Sequence, residues 1–279
     1  MLTIAGIDFP KRTRPYLLGI VNLTTDSFFE GSRHPLPEDA LLSARTLADE
    51  GADILDLGGE STRPGAPPVS AEQELNRLLP ALALIKQHLT LPLSIDTSKA
   101  AVAEACLREG GHLINDVSAL TGDPRMIDIL RAAQAPVILM HMQGTPRTMQ
   151  QAPTYNNVVT DVADYLLERA AFAEKNGLAP ENIILDPGIG FGKTPAHNLA
   201  LLRHFSPAIA GRFPVLIGHS RKSFIGTLLT LPSPDDRLYG SLGAGLAAAA
   251  NGAAFLRVHD IKATREALAL FHAVQEAPR

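Results

Sequence analysis

One event recurs eight times along this chain. A short run of apolar or β-branched residues ends at a polar residue or a glycine, and a stretch with helical apolar spacing follows. The runs fall at 16–21, 53–57, 93–95, 112–114, 136–140, 183–185, 215–217 and 255–258. Between them Leu75, Leu78, Leu79 and Leu82 obey the i, i+3, i+4, i+7 rule, as do Ala267, Leu270, Phe271 and Val274. The punctuation agrees. Ser70 with Gln73 reads as a capping box, Asp123-Pro124 as N-cap then first helical residue, and Gly51, Gly110 and Gly252 stand where glycines end helices. Pro80 interrupts an otherwise good helix and predicts a kink.

Eight such units in 279 residues means about 35 residues per unit, the size expected of an α/β chain closing into a (β/α)₈ barrel. An open doubly wound sheet of eight strands would be unusually wide. No low-complexity stretch or Pro/Ser-rich linker divides the chain, so one domain over 1–279 is expected. The 25 Lys and Arg against 29 Asp and Glu leave a net charge of −4, which argues against a nucleic-acid-coating protein. Cys106 is the only cysteine, which excludes an internal disulfide or a CxxC metal knuckle. It reads as core packing, and its lone thiol suits a reducing compartment. There is no apolar run of membrane-spanning length and no signal-peptide core, so a cytoplasmic protein without membrane contact is expected. The helix at 241–251 has almost no polar face, so it is either over-covered locally or packed on another subunit, and a homo-oligomer is the preferred expectation.

In barrels of this kind chemistry gathers at the C-terminal ends of the strands. There the chain places Asn22, Gly58-Gly59-Glu60, Asp96, Asn115-Asp116, His141, Asp186, His219-Ser220 and His259. For any one of them a turn or helix cap is the blander explanation, and Asp116 and Ser98 read that way. The complete ring is harder to explain by turns alone. Loops 23–36, 58–69 and 142–157, on the same side, have the length of functional lids. Two anion-seeking clusters follow the last two strands: Ser220-Arg221-Lys222-Ser223, and Arg257 with His259. Arg63 could close over the same anion. The run Asp186-Pro-Gly-Ile-Gly-Phe-Gly-Lys193-Thr194 misses the nucleotide-loop spacing, and Pro195 reads as spoiling the helix after it. Its glycines suit a close backbone approach to a flat ligand, with Asp186 accepting from a heterocyclic amino group. His141 and His219 lack the paired spacing of a zinc site.

Read together, these segments resemble the dihydropteroate synthase family, pterin-binding enzymes of folate biosynthesis. The likeness is carried in order by Gly19-Ile-Val-Asn22 with Asp26-Ser-Phe28, Asp56-Leu-Gly-Gly-Glu-Ser-Thr62-Arg63-Pro64-Gly, Ser94-Ile-Asp96-Thr and Ile114-Asn115-Asp116. It continues through Leu139-Met-His-Met-Gln-Gly144, the Asp186 glycine run, Ser220-Arg-Lys222-Ser and Arg257-Val-His259-Asp. The resemblance implies a (β/α)₈ barrel, a homodimer, and a transferase condensing 6-hydroxymethyl-7,8-dihydropterin diphosphate with p-aminobenzoate to 7,8-dihydropteroate and pyrophosphate, with Mg²⁺. Such an enzyme is the target of sulfonamides. By likeness Asn22 would help hold the Mg²⁺-diphosphate. Asp96, Asn115, Asp186 and Lys222 would hold the pterin, with Arg257 stacked on its ring. His259, Arg257 and Arg63 would face the diphosphate, and Phe28, Thr62, Pro64 and Ser220 would shape the aminobenzoate pocket. Catalysis would fall to Asp96, Lys222, Arg257, His259 and Arg63.

The residues suit that chemistry. Loss of diphosphate from a CH₂ on an electron-rich ring leaves a delocalised cation, so one rim must stabilise an anion while carboxylates steady the heterocycle. The arylamine is already neutral at pH 7 and needs no strong base, consistent with the lack of any triad. The chain departs from the family in its first loop, where Thr25 replaces a usual Pro and Phe29-Glu30-Gly31-Ser32 replaces Ser-Asp-Gly-Gly, and His219 stands where a small or apolar residue is usual. Three rivals remain at this stage. A methyltetrahydrofolate:corrinoid methyltransferase would share the cradle but not the diphosphate cluster. The others are a non-catalytic pterin-binding paralogue and a Schiff-base aldolase using Lys222.

Overall fold

Each short strand alternates one side chain toward the helices and the next toward the strand ring, and this period of two decides what reaches the centre. The computed structural model describes residues 1–24, 36–62, 65–145, 148–209 and 211–277. It opens with an antiparallel hairpin, β1 (Leu2–Ile4) and β2 (Ile7–Phe9). Eight parallel strands follow: β3 (Tyr16–Asn22), β4 (Ile54–Gly58), β5 (Leu93–Asp96), β6 (Leu113–Asp116), β7 (Val137–Met140), β8 (Ile183–Asp186), β9 (Leu216–Ile217) and β10 (Phe255–Val258). They pair in the order β8-β7-β6-β5-β4-β3-β10-β9. A parallel bridge between Leu185 and Val215 joins β8 to β9 and closes the ring. The chain folds as the (β/α)₈ barrel expected, with every strand within about a residue of its sequence position.

Nine helices among the described residues surround the ring: α1 (Pro37–Asp49), α2 (Ala71–His88), α3 (Ala100–Glu109), α4 (Met126–Ala133), α5 (Val158–Lys175), α6 (Pro195–Ala208), α7 (Ser223–Leu229), α8 (Leu238–Ala250) and α9 (Ile261–Gln275). Two of them, α7 and α8, share the β9–β10 connection. Outward strand residues such as Leu55, Leu57, Ile95 and Leu185 form one core with the helices. Cys106 is buried in this core, where burial pushes its thiol up to about 12. Inward residues Leu18, Ile54, Leu113, Ile138, Ile184, Leu216 and Phe255 form a second core inside the barrel. Leu2, Ile4 and Phe9 of the hairpin join it from below. Phe9 packs edge-on to Tyr16 at 4.8 Å, and Tyr16 meets Phe255 at 5.4 Å. The strands of this hairpin floor, three residues each, are too short to show a period, and the sequence reading does not contain it.

The capping box at Ser70 and Gln73 forms, and Gly51, Gly110 and Gly252 adopt positive φ behind α1, α3 and α8. Four expectations need correction. Helix α2 runs on through Pro80, which lies on its exposed side. Pro195 does not spoil α6 but starts it: Thr194 and His197 form a capping box, and a proline in the first turn loses no helical hydrogen bond. Asp123 precedes a turn rather than capping α4; its carboxylate accepts from Arg125 N and from Ala100 N at the start of α3. On α9 the core-facing stripe is Ile261, Thr264 and Leu268, one step round from the predicted one, leaving Leu270 70% and Val274 65% exposed. Two apolar stripes compete on this helix, which packs against α8 and β3. Leu268→Ala is therefore expected to cost ~2–5 kcal/mol in urea unfolding, and Leu270→Ala within about 0.5 kcal/mol. Equal losses would contradict the assigned face.

Candidate active site

At the C-terminal end of the ring the inward positions become polar. By alternation β3 delivers Asn22, β4 Asp56 and Gly58, β5 Asp96, β6 Asn115, β8 Asp186 and β10 Arg257. At the centre lies the Arg257 guanidinium. Its Nε donates to Asp56 Oδ2 at 2.5 Å, and its Nη2 to Asp96 Oδ2 at 2.9 Å. Asn115 Nδ2 adds a second donor to Asp56 Oδ2 at 3.3 Å. Burial works against the arginine's charge, but Asp56 and Asp96 outweigh it and raise its pKa further. Asp56 is wholly buried and Asp96 8% exposed. Burial, with the neighbouring Asp56 charge, pushes Asp96 up to about 7 even against Arg257.

Asp186 and Lys222 complete the ring beside Arg257. A Cβ built on Gly218 would lie 3.8 Å from Asp186 Oδ2, 3.9 Å from Lys222 Nζ and 3.9 Å from Arg257 Cβ, so the bare α-carbon keeps the space between them. Lys222 Nζ donates to Ile189 O and stands 4.5 Å over the Phe191 ring. Burial pushes Lys222 down to about 8, against the pull of Asp186. Burial raises Asp186, while Lys222 opposes the shift. Ser220 Oγ meets the His259 backbone N–H at 3.3 Å and Nδ1 at 3.0 Å, joining the two anion-seeking clusters. Asn22 stands at the same rim: a Cβ on Gly58 would sit 4.0 Å from its Oδ1 and 3.6 Å from Asp96 Cβ. Thr62 is half-buried in the loop after β4. Arg63, Pro64, Phe28 and the unusual residues Thr25 and Phe29–Ser32 lie outside the described residues.

Several sequence-derived roles change. Arg221 does not face the anion site; it is paired with Asp260 at 2.7 Å and Asp235 at 2.9 Å. Asp116 points away from the ring and accepts from Ser118 and Leu120, the turn role expected of it. Described residues of the loop after β7 brace the glycine run. Gln150 Nε2 donates to Gly190 O at 2.7 Å, and Tyr155 Oη to Gly192 O at 2.7 Å, so the loop holds the glycine run after β8. Beneath that run lies Lys193, which the sequence reading passed over as a failed nucleotide-loop lysine. Its buried Nζ lies 2.9 Å from His141 Nδ1, 2.9 Å from Phe191 O and 3.4 Å from His141 O. Burial pushes Lys193 down to about 7 and His141 down to about 3. Gly188 is indispensable here: its φ is +67°, and a Cβ would fall 1.9 Å from His141 O. His219 is packed under α8, where a Cβ on Gly245 would press on its Nε2 at 2.9 Å. Burial pushes it down to about 4, which makes it a neutral core residue. Asp56 is the central group the sequence reading missed, although a lone carboxylate inside Ile54–Gly58 was a visible signal.

The ring can therefore present acceptors and donors to a flat heterocycle below and cationic groups to an anion above. Residues 18–259 match the model of a family described as pterin binding enzyme. The chain belongs to that pterin-binding enzyme family. Its pterin-binding relatives include the dihydropteroate synthases of Neisseria meningitidis serogroup B, 47% identical with 96% of this chain and 94% of the relative covered, and of Escherichia coli K12, 43% identical with 95% and 93% covered. Among solved structures, a Xanthomonas albilineans dihydropteroate synthase with 4-aminobenzoic acid superposes at TM-score 0.89 and 45% identity, covering 95% of this chain and 94% of that one. A Yersinia pestis dihydropteroate synthase in a sulfonamide drug complex superposes at 0.91 and 41%, covering 99% of each. Within the pterin-binding enzymes, then, this chain is one of the dihydropteroate synthases.

Because Asp56 is fully buried opposite a charge, Asp56→Asn should destabilise this pterin-binding enzyme by about 3 kcal/mol in urea unfolding. Asp96→Asn should cost far less, since Asp96 sits at the open end and titrates near neutrality. The reverse order would shift the structural pair to Arg257–Asp96.

Proposed function

We propose that the ring around Arg257 is the reaction centre for dihydropteroate synthesis, with each residue acting as follows. The enzyme condenses 6-hydroxymethyl-7,8-dihydropterin diphosphate with p-aminobenzoate, releasing pyrophosphate. The observation that carries the residue roles is the convergence of Asp96, Asn115, Asp186 and Lys222 around one guanidinium at the open end of the barrel. A neighbour of 42% identity, covering 95% of each chain, is described in complex with 7,8-dihydropteroate.

Pterin offers a row of N–H donors flanked by carbonyl and ring-nitrogen acceptors. Asp96 and Asp186 accept from the donors, and Asn115 and Lys222 donate to the acceptors. Arg257, gripped at Nε and Nη2, has its plane fixed, which suits stacking on the bicycle. The C–O bond to the diphosphate breaks with its electron pair leaving on oxygen. His259, with Ser220, and Arg257 receive that anion, and ionised Asp96 steadies the cation left on the ring. The neutral arylamine then attacks the CH₂ and gives its proton to water. The corrinoid methyltransferase reading has no use for this anion cluster, and the relatives named above are all synthases.

Mg²⁺ fits the donor set only together with the substrate. Asn22 supplies one amide oxygen beside Asp96, and Mg²⁺ completes such sites with phosphate oxygens and water. Asn22 would hold the ion, which would neutralise the leaving diphosphate. No group of three or more acidic, His or Cys side chains among the described residues makes a separate metal site.

The enzyme works as a homodimer through α6, α7 and α8. Their outer faces expose Leu199, Leu228 and Leu229, leave Tyr239 82% exposed, and enclose an apolar groove of about 530 Å³. This is the unpartnered helix the sequence announced, and a second copy is its natural cover. A free, buried Cys106 suits a cytoplasmic setting, and no helix among the described residues is long and apolar enough to cross a membrane.

Mixing both substrates with Mg²⁺ should release pyrophosphate, and Lys222→Ala or Asp96→Asn should cut turnover at least about tenfold without unfolding the chain. No release above a heat-killed control would overturn the function. The pH profile of kcat/KM should be bell-shaped. Protonation of Asp96 removes its negative charge below about 7, and deprotonation of Lys222 removes its positive charge above about 8. Asp96→Asn should abolish the acid limb. In sedimentation, Leu229→Glu should convert dimers to monomers; a wild type that already sediments as a monomer would refute the dimer.

A further inference from the structure

The connection that leaves β4 at Gly59 and returns at Val69 is fastened at its base by groups that the steps above do not use. Lys99 Nζ donates to Glu60 Oε2 at 2.5 Å and to Glu74 Oε2 at 2.6 Å. Glu60 turns its other oxygen, Oε1, to the backbone N–H of Val69 at 3.0 Å, so one side chain closes both ends of the connection on each other. Arg77 Nη1 ties Gly59 O to α2 at 2.7 Å. Glu74 is wholly buried, and Lys99 is its one ionic partner among the described residues. Burial opposes the charge of Lys99, but Glu60 and Glu74 outweigh it and raise its pKa. A carboxylate so costly to bury, set in the first turn of α2 and shared through Lys99 with Glu60, is more than a simple strand-to-helix link requires.

Location gives the clasp its meaning. Gly58, the last residue of β4, lies against Asp96 and Asn22, so the connection rises from the rim directly beside the heterocycle position. Lys99 itself lies three residues past Asp96, so its ammonium ties the Asp96 loop to the one carrying half-buried Thr62. Asn115 and Asp186, deep in the ring, serve the first substrate. The fastened segment leaves the open rim beside Asp96, the end by which the second must enter.

We propose that Lys99 is a positioning residue for capture of the arylamine: through Glu60 it holds the β4–α2 connection so that the amine, rather than water, meets the pterin CH₂. This rests on the dihydropteroate synthase reaction above. Once the C–O bond has broken and its electron pair has left on diphosphate, two nucleophiles compete for the carbon. The arylamine nitrogen forms a C–N bond and loses a proton to solvent, giving dihydropteroate. Water forms a C–O bond and loses a proton, giving the hydroxymethyl pterin. A loosened clasp shifts that partition without touching the groups that ionise the first substrate.

The test measures pyrophosphate and dihydropteroate in the same reactions of the full-length enzyme. Wild type should give a ratio of about one. In Lys99→Met the dihydropteroate formed per pyrophosphate should fall below about one half, and KM for p-aminobenzoate should rise about tenfold, while KM for the pterin diphosphate moves less than about twofold. Lys99→Arg should restore the ratio. Glu60→Gln, which keeps Oε1 for Val69 but removes the ionic partner, should shift it in the same direction and serves if Lys99→Met does not fold. A simple loss of folded enzyme lowers both products together and leaves the ratio unchanged. A ratio of about one in Glu60→Gln and in any folded Lys99→Met, or a parallel rise in both KM values, overturns the proposal alone. A wild type that releases no pyrophosphate overturns the reaction as well.

Discussion

The guanidinium of Arg257, clamped between Asp56 and Asp96, is the constraint on which the upper half of the barrel is built. A cation that far inside needs carboxylates, and those carboxylates need the cation. The clamp ties β10 across β3 to β4 and β5, so the same contacts hold neighbouring strands together and assemble the site. Once Arg257 is fixed, the Asn115 amide is oriented through Asp56, and the space beside Gly218 sets the distance to Asp186 and Lys222. The site is thus a layer of the barrel's interior in which polar side chains replace the apolar ones of the layers beneath.

Much of this could be read from the residues alone. The strand–polar–helix rhythm gave the barrel, and Asp96, Asn115, Asp186, Lys222 and Arg257 announced themselves as chemistry at strand ends. What escaped did so for identifiable reasons. Asp56 lies two residues before its strand's end and was taken for part of an apolar run. Arg221 follows the strand end as Lys222 does, but which of two neighbouring cations turns inward depends on the positive φ of Arg221 and the acids Asp235 and Asp260. Those acids come from elsewhere in the fold. Helix α9 carries two apolar stripes, and periodicity alone does not choose between them. The floor hairpin has strands too short for any period.

The loops divide by mechanical role. The connection after β7 props the glycine run from outside, with His141 and Lys193 bracing it from below. The connection after β4 is instead closed on itself at its base. The first supports the glycine run that follows Asp186. The second, in the proposal above, holds the side on which amine and water compete. Placing rigidity beneath the first substrate and fastening beside the second matches a reaction whose first step needs electrostatic precision and whose second needs exclusion of solvent.

The aromatic floor of Phe9, Tyr16 and Phe255 and the apolar core above it fill the barrel's lower end, so its polar end is the mouth. In the proposed reaction both substrates enter and leave by that mouth, with the heterocycle lying deeper than the arylamine. On that reading the heterocycle would go in before the arylamine. A filled lower end would thus impose a queue on the traffic.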